Sequence, residues 1–87
     1  MQDNFNKITS LIKNNKFIEA INLLKTLTED EKKNPNYFFL KGIVHVYLSE
    51  FNNAIDDLTS AININSENSK LYFYRGYSYS RLNEYQK

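Results

Sequence analysis

Side chains able to do chemistry are few in this sequence, and their spacing does not assemble a reaction centre. His45 is the only histidine and there is no cysteine, so no second nitrogen or sulfur ligand or thiol nucleophile exists to complete a site around it. Carboxylates adjoin in Asp56-Asp57 and in Glu29-Asp30-Glu31. Neighbours in a helix point in different directions, so both groups are expected on solvated faces. The chain has no Gly-rich phosphate loop, no serine elbow and no metal-ligand spacing. Neither catalysis nor a cofactor nor a metal is expected.

What remains is surface recognition, and composition narrows the partner. The 87 residues make one small domain, just above the size at which a single core seldom yields more than a few kcal/mol. Hydrophobic residues are 41% and charged residues 24%, the balance of an ordinary folded domain. A formal net charge of +1, with bases and acids interleaved, supplies no field to steer nucleic acid or an anionic membrane. The first residues, Met1-Gln2-Asp3-Asn4, lack a basic segment followed by an apolar run, and no stretch approaches a membrane span. A cytoplasmic setting is therefore expected, with no nucleic acid and no membrane as partner.

The elements that must present such a surface are read from helical periodicity. Phe5, Ile8, Leu11 and Ile12 form one stripe, with Asp3 as its N-cap. Asn15, a residue that tolerates the left-handed conformation, closes it. Phe17, Ala20, Ile21, Leu24 and Leu27 form the second stripe, and the charged run from Thr28 to Asn34 reads as a solvated helix end and linker. Pro35 suits the first turn of a third helix, from Asn36 to Leu48. Ser49 takes the turn slot, where serine is less at ease in left-handed geometry, so a differently built corner is expected. A fourth helix from Asn52 to Ile64 turns Ala54, Ile55, Leu58, Ala61 and Ile62 inward. After the turn cluster Asn65-Ser66-Glu67-Asn68, a fifth runs from Ser69 to Leu82, Asn83 turns, and Glu84-Tyr85-Gln86-Lys87 begins a sixth.

A shift of 34 residues superimposes these elements. Phe38-Phe39 falls on Tyr72-Phe73, Gly42 on Gly76, Leu48 on Leu82 and Glu50-Phe51 on Glu84-Tyr85; backward, Phe51 falls on Phe17, Ala54-Ile55 on Ala20-Ile21 and Leu58 on Leu24. The only two glycines of the chain are one period apart. His45 lies where Tyr79 stands one period later, and is expected to fill a tyrosine's packing slot within a helix pair.

With an aromatic before a small residue in the first helix, and Ala with a large apolar residue in the second, the chain resembles the tetratricopeptide repeat family. The match is fullest at Phe38, Gly42, Phe51, Ala54, Leu58 and Ala61, continues through Tyr72, Gly76, Tyr79, Leu82 and Tyr85, and is weakest in residues 1–34, where Ile8 takes the glycine slot. The resemblance implies an all-α, right-handed helix-turn-helix solenoid of about two and a half repeats and five helices. The units are residues 1–34, 35–68 and 69–87, together one domain. It implies close helix contacts at both Gly42 and Gly76.

In this family a partner peptide lies along first-helix residues that face the concave groove. Carried over, those positions are Phe39, Leu40, Ile43 and Tyr47, then Lys70, Phe73, Tyr74, Tyr77 and Arg81, with Phe5, Thr9 and Lys13 extending the surface. The clamp by which one subclass grips acidic chaperone tails maps onto Phe5, Thr9, Leu40, Lys70 and Tyr74, of which Lys70 alone is a matching donor. The expected function is thus a non-catalytic protein-interaction module that takes an apolar or aromatic segment. A fragment of a longer array that self-associates is the alternative, and RNA binding, which needs a basic groove, ranks third. Tyr72, Phe73, Tyr79, Leu82 and Tyr85 are expected to form an exposed patch that pairs two chains through the fifth helix.

Overall fold

The computed structural model describes residues 4–85, with side chains through residue 84. The chain is all-α: α1 spans Asn4–Lys13, α2 Phe17–Lys25, α3 Asn36–Tyr47, α4 Phe51–Ile64 and α5 Ser69–Tyr85, with one 3-10 turn at Glu31–Lys33 and no strand among the described residues. The Asp3 cap, the Tyr85 side chain and the residues after it lie outside the described set. No helix of the described residues is long and apolar enough to cross a membrane.

Each helix packs on the next, and α3 touches all four others, because it also adjoins both α1 and α5. Two apolar clusters result. Ile8, Ala20, Ile21, Leu24, Leu27, Tyr37 and Val44 pack where α1, α2 and α3 meet. Val46, Phe51, Ala54, Leu58, Ala61, Ile62 and Leu71 pack where α3, α4 and α5 meet. Phe38 belongs to the rim of both. Burying each large aliphatic side chain stabilises the fold by about 1.5–3 kcal/mol, and both clusters draw on α3, so the other four helices all depend on it. The assembly is elongated, 47 × 26 × 20 Å.

The 34-residue period reappears as identical hydrogen bonding. At the first corner Asn15 has φ 62°, its amide donates to the Ile12 carbonyl at 3.0 Å, and the Lys16 amide reaches the Leu11 carbonyl at 2.8 Å. At the second, Ser49 has φ 60°, its amide donates to Val46 at 3.0 Å, and the Glu50 amide reaches His45 at 2.8 Å. Both are Schellman closures, which satisfy otherwise open carbonyls of the helix end. The expectation of a different corner at Ser49 is corrected: the two closing bonds hold serine in the conformation that asparagine adopts more readily. Helix starts repeat as well. The Asn34 side chain accepts from the Asn36 amide at 2.8 Å, and the Asn68 side chain accepts from the Lys70 amide at 3.0 Å. Asn83 departs from the series, because α5 continues unbroken through it to Tyr85.

The linker is more ordered than its charge run predicts. The Thr28 amide donates to Glu31 Oε1 at 2.9 Å and the Glu31 amide donates to Thr28 Oγ1 at 3.1 Å, a reciprocal capping box. Asn4 Nδ2 donates to Glu31 Oε2 at 2.8 Å, so the same carboxylate also ties down the start of α1. The Thr28 amide first, and the Asn4 side chain next, hold the Glu31 carboxyl below its ordinary value of 4.5. A depressed folded value means that this contribution is present above pH 4.5 and disappears as pH falls through the folded value. In a carboxyl-resolved NMR titration, Glu31 is expected to titrate below that ordinary value, with the Thr28 amide shift following the same curve. Glu31→Gln should abolish that curve.

Candidate functional site

The helices build an open cleft of about 370 Å³ between the end of α3 and the middle of α5. Its walls are Val46, Tyr47 and Ser49 on one side and Phe73, Tyr74, Tyr77 and Arg81 on the other. Helical spacing accounts for the second wall. Residues 73, 74, 77 and 81 fall on one flank of α5 at intervals of one, three and four, while Leu71 and Ser78 are buried. The Ser49 corner ends α3 at the cleft and leaves Tyr47 on its last turn.

The rings are held in place although they face solvent. Tyr47, Phe73 and Tyr77 remain 52%, 68% and 39% exposed. Tyr47 stacks on Phe17 with centroids 4.6 Å apart and planes within 6°. Tyr77 meets Phe51 edge to face at 6.1 Å, and Phe73 meets Tyr74 in the same manner at 5.5 Å. Arg81 closes one end. Its guanidinium lies 5.7 Å from the Phe51 ring centroid and 5.9 Å from that of Tyr77, donates to the Tyr77 hydroxyl at 3.3 Å, and has Glu84 at 3.4 Å. Burial pushes the Tyr74 hydroxyl above the ordinary 10.0, and the charge and hydrogen bonding of Tyr47 add to the rise. The Tyr74 phenol therefore offers a neutral hydroxyl near neutral pH.

Five of the nine groove positions expected from sequence meet here: Tyr47, Phe73, Tyr74, Tyr77 and Arg81. The other four do not line the cleft. Ile43 is buried, Leu40 and Phe39 are half-buried against the first and second clusters respectively, and Lys70 is exposed at the start of α5. For the three on α3 its neighbours explain the loss: α3 packs against α1, α2, α4 and α5, so a position that faces a groove in an isolated pair is covered here, whereas Lys70 stands one turn before the cleft on α5. Val46 and Ser49 were missed as wall residues. The signal was available, because the turn that ends a helix opens space beside its last residues.

The chemically capable residues of α3 and α4 form a separate group. His45 is buried between the helices as expected, but it is more than packing. Its Nδ1 lies 2.6 Å from Asp57 Oδ2, where the imidazole N–H donates to the carboxylate, and its Nε2 is 3.7 Å from Glu50 Oε2. Lys41 Nζ stands 3.4 Å from the other oxygen of Asp57. Asp57 is buried, which corrects its placement on a solvated face; Asp56 is exposed as expected. The distinction follows from phase, since Asp57 sits beside Leu58 on the face that α4 turns to α3. A helix places a carboxylate there only with partners, because an unpaired buried charge costs several kcal/mol.

The two glycines also part company. A Cβ on Gly42 would stand 2.8 Å from Leu58 Cγ and Cδ2 and 3.4 Å from Asp57 Cβ, the close helix contact expected. A Cβ on Gly76 would meet nothing within 4 Å, so no close contact exists there. Compared with family models, curated proteins and solved structures, the chain matches none.

Proposed function

We propose that this chain is a non-catalytic protein-interaction module of the tetratricopeptide-repeat kind, and that the cleft between α3 and α5 receives an apolar or aromatic side chain of a partner peptide or helix. One observation carries the reading: Tyr47, Phe73 and Tyr77, from two helices, are exposed yet held by ring contacts around one open cleft of about 370 Å³. Ordered aromatics lose little conformational freedom on binding and recur as the residues that dominate interfaces. The repeat architecture is supported by the matched Schellman corners and matched asparagine caps one period apart.

The chain has no tryptophan, so a tryptophan-containing peptide selected against it from a random display library gives a direct optical readout. Tyrosine emission should fall as the peptide's tryptophan emission rises. Tyr77→Ala is expected to weaken binding by about 2 kcal/mol, or roughly thirtyfold. Lys70→Ala should leave it nearly unchanged. A peptide that ignores Tyr77→Ala and depends on Lys70 would replace this reading with a charged clamp.

A further inference from the structure

The flank of α5 opposite the cleft repeats, in register, the flank of α3 on which α4 lies. Phe38, Lys41, Gly42 and His45 of α3 correspond to Tyr72, Arg75, Gly76 and Tyr79 of α5. In the first set the Gly42 notch is filled by Leu58, Lys41 reaches Asp57 at 3.4 Å, and His45 bonds the same carboxylate at 2.6 Å. In the second set the Gly76 notch is open, and Tyr72 and Tyr79 are exposed on either side of it. Arg75 stands at the edge of that notch, over the Tyr72 ring at 5.6 Å and donating to Thr59 Oγ1 at 3.3 Å.

We infer that this flank docks an amphipathic helix of a separate protein that carries an acidic residue immediately before a leucine, between small residues, as α4 does in Ala54-x-x-Asp57-Leu58-x-x-Ala61. The leucine enters the Gly76 notch between the Tyr72 and Tyr79 rings. The acid meets Arg75 and the Tyr79 hydroxyl as Asp57 meets Lys41 and His45. Charge complementarity selects this occupant: Arg75 is the one charged residue of α5 on this flank among the described residues, since Lys70, Arg81 and Glu84 fall on the cleft side of the helix, so an acidic helix is drawn to it and a basic one repelled. The site is distinct from the cleft, since Arg75, Gly76 and Tyr79 are not among the cleft walls. It stands or falls independently of the function proposed above.

The test uses the whole chain and a fluorescent, helix-stapled peptide with the sequence of residues 50–64, read by anisotropy; the staple is needed because an isolated helix of this length is marginal. Saturable binding is expected. Gly76→Leu, which fills the notch from an exposed helical position and so leaves the fold intact, should weaken it by about tenfold or more, and Tyr79→Glu should do the same by repelling the acid. Peptides bearing Asp57→Asn or Leu58→Ala should each bind several-fold more weakly, while Tyr77→Ala in the chain changes nothing. No binding at high micromolar concentration, or equal affinity for the parent and both variants, overturns the inference. So does a concentration-dependent dimer of the chain that Gly76→Leu dissociates, because a second copy would then be the occupant.

Discussion

Asp57→Ala is expected to lower the unfolding free energy by about 3 kcal/mol, the lower end of the range for removing one partner of a buried pair. The carboxylate is shared by His45 Nδ1 at 2.6 Å and Lys41 Nζ at 3.4 Å. Without it, the imidazole N–H stays buried between α3 and α4 with no acceptor of its own. Lys41 moderates the loss, since its side chain is 29% exposed and reaches water. Asp57→Asn keeps an acceptor oxygen at the same place and should cost nearer 1 kcal/mol, the worth of an ordinary hydrogen bond. Urea titrations with a common slope measure both. Equal midpoints for Asp57→Ala and the parent would show that the pair contributes nothing to the α3–α4 interface. The double variant His45→Ala with Asp57→Ala should cost less than the sum of the single changes, because the second removal leaves no orphan.

Leu58→Ala should be destabilising by about 2–5 kcal/mol, as befits a fully buried leucine whose removal leaves a cavity. It belongs to the second apolar cluster and sits directly over Gly42. From the other side of the same contact, Gly42→Val drives a branched side chain to within 2.8 Å of Leu58 Cγ and should cost roughly 1–3 kcal/mol. The two changes are expected to compensate, with the valine methyls occupying part of the space that Leu58→Ala opens. A double variant whose loss equals the sum of the singles would contradict the notch. Gly76→Ala makes the counterpart test: with open space around it and a better helix former in place, it should raise stability by up to about 1 kcal/mol.

Much of this architecture was legible because its determinants are local. Helical stripes, Asn15 as a closing residue, Pro35 in a first turn and the 34-residue recurrence all act within a few positions of themselves, and all five helices appear close to where those signals place them. Errors arose where a residue's role depends on a partner helix. Gly42 and Gly76 share a register and a sequence context, yet one is sealed by Leu58 and the other is open; the period alone could not tell them apart. Asp56 and Asp57 are adjacent and chemically identical. A rotation of about 100° between neighbours sends one to water and the other to His45. The cleft was read in the same way: the aromatic flank of α5 was placed by spacing, whereas Ile43 lost its surface to the tight surroundings of α3. Asn83 reads as a corner only by analogy with Asn15 and Ser49, and α5 passes through it intact.

The binding claim is tested most directly by a backbone amide shift map of the labelled chain with a display-selected tryptophan-containing peptide. The largest changes are expected at Val46, Tyr47 and Ser49 on α3 and its corner, and at Phe73, Tyr74, Tyr77 and Arg81 on α5. They should disappear at the same peptide concentration in Tyr77→Ala, whose own spectrum remains that of a folded helical chain. Saturable shifts confined to α1 and α2, or a cleft whose amides stay unmoved while the peptide binds elsewhere, would contradict the account.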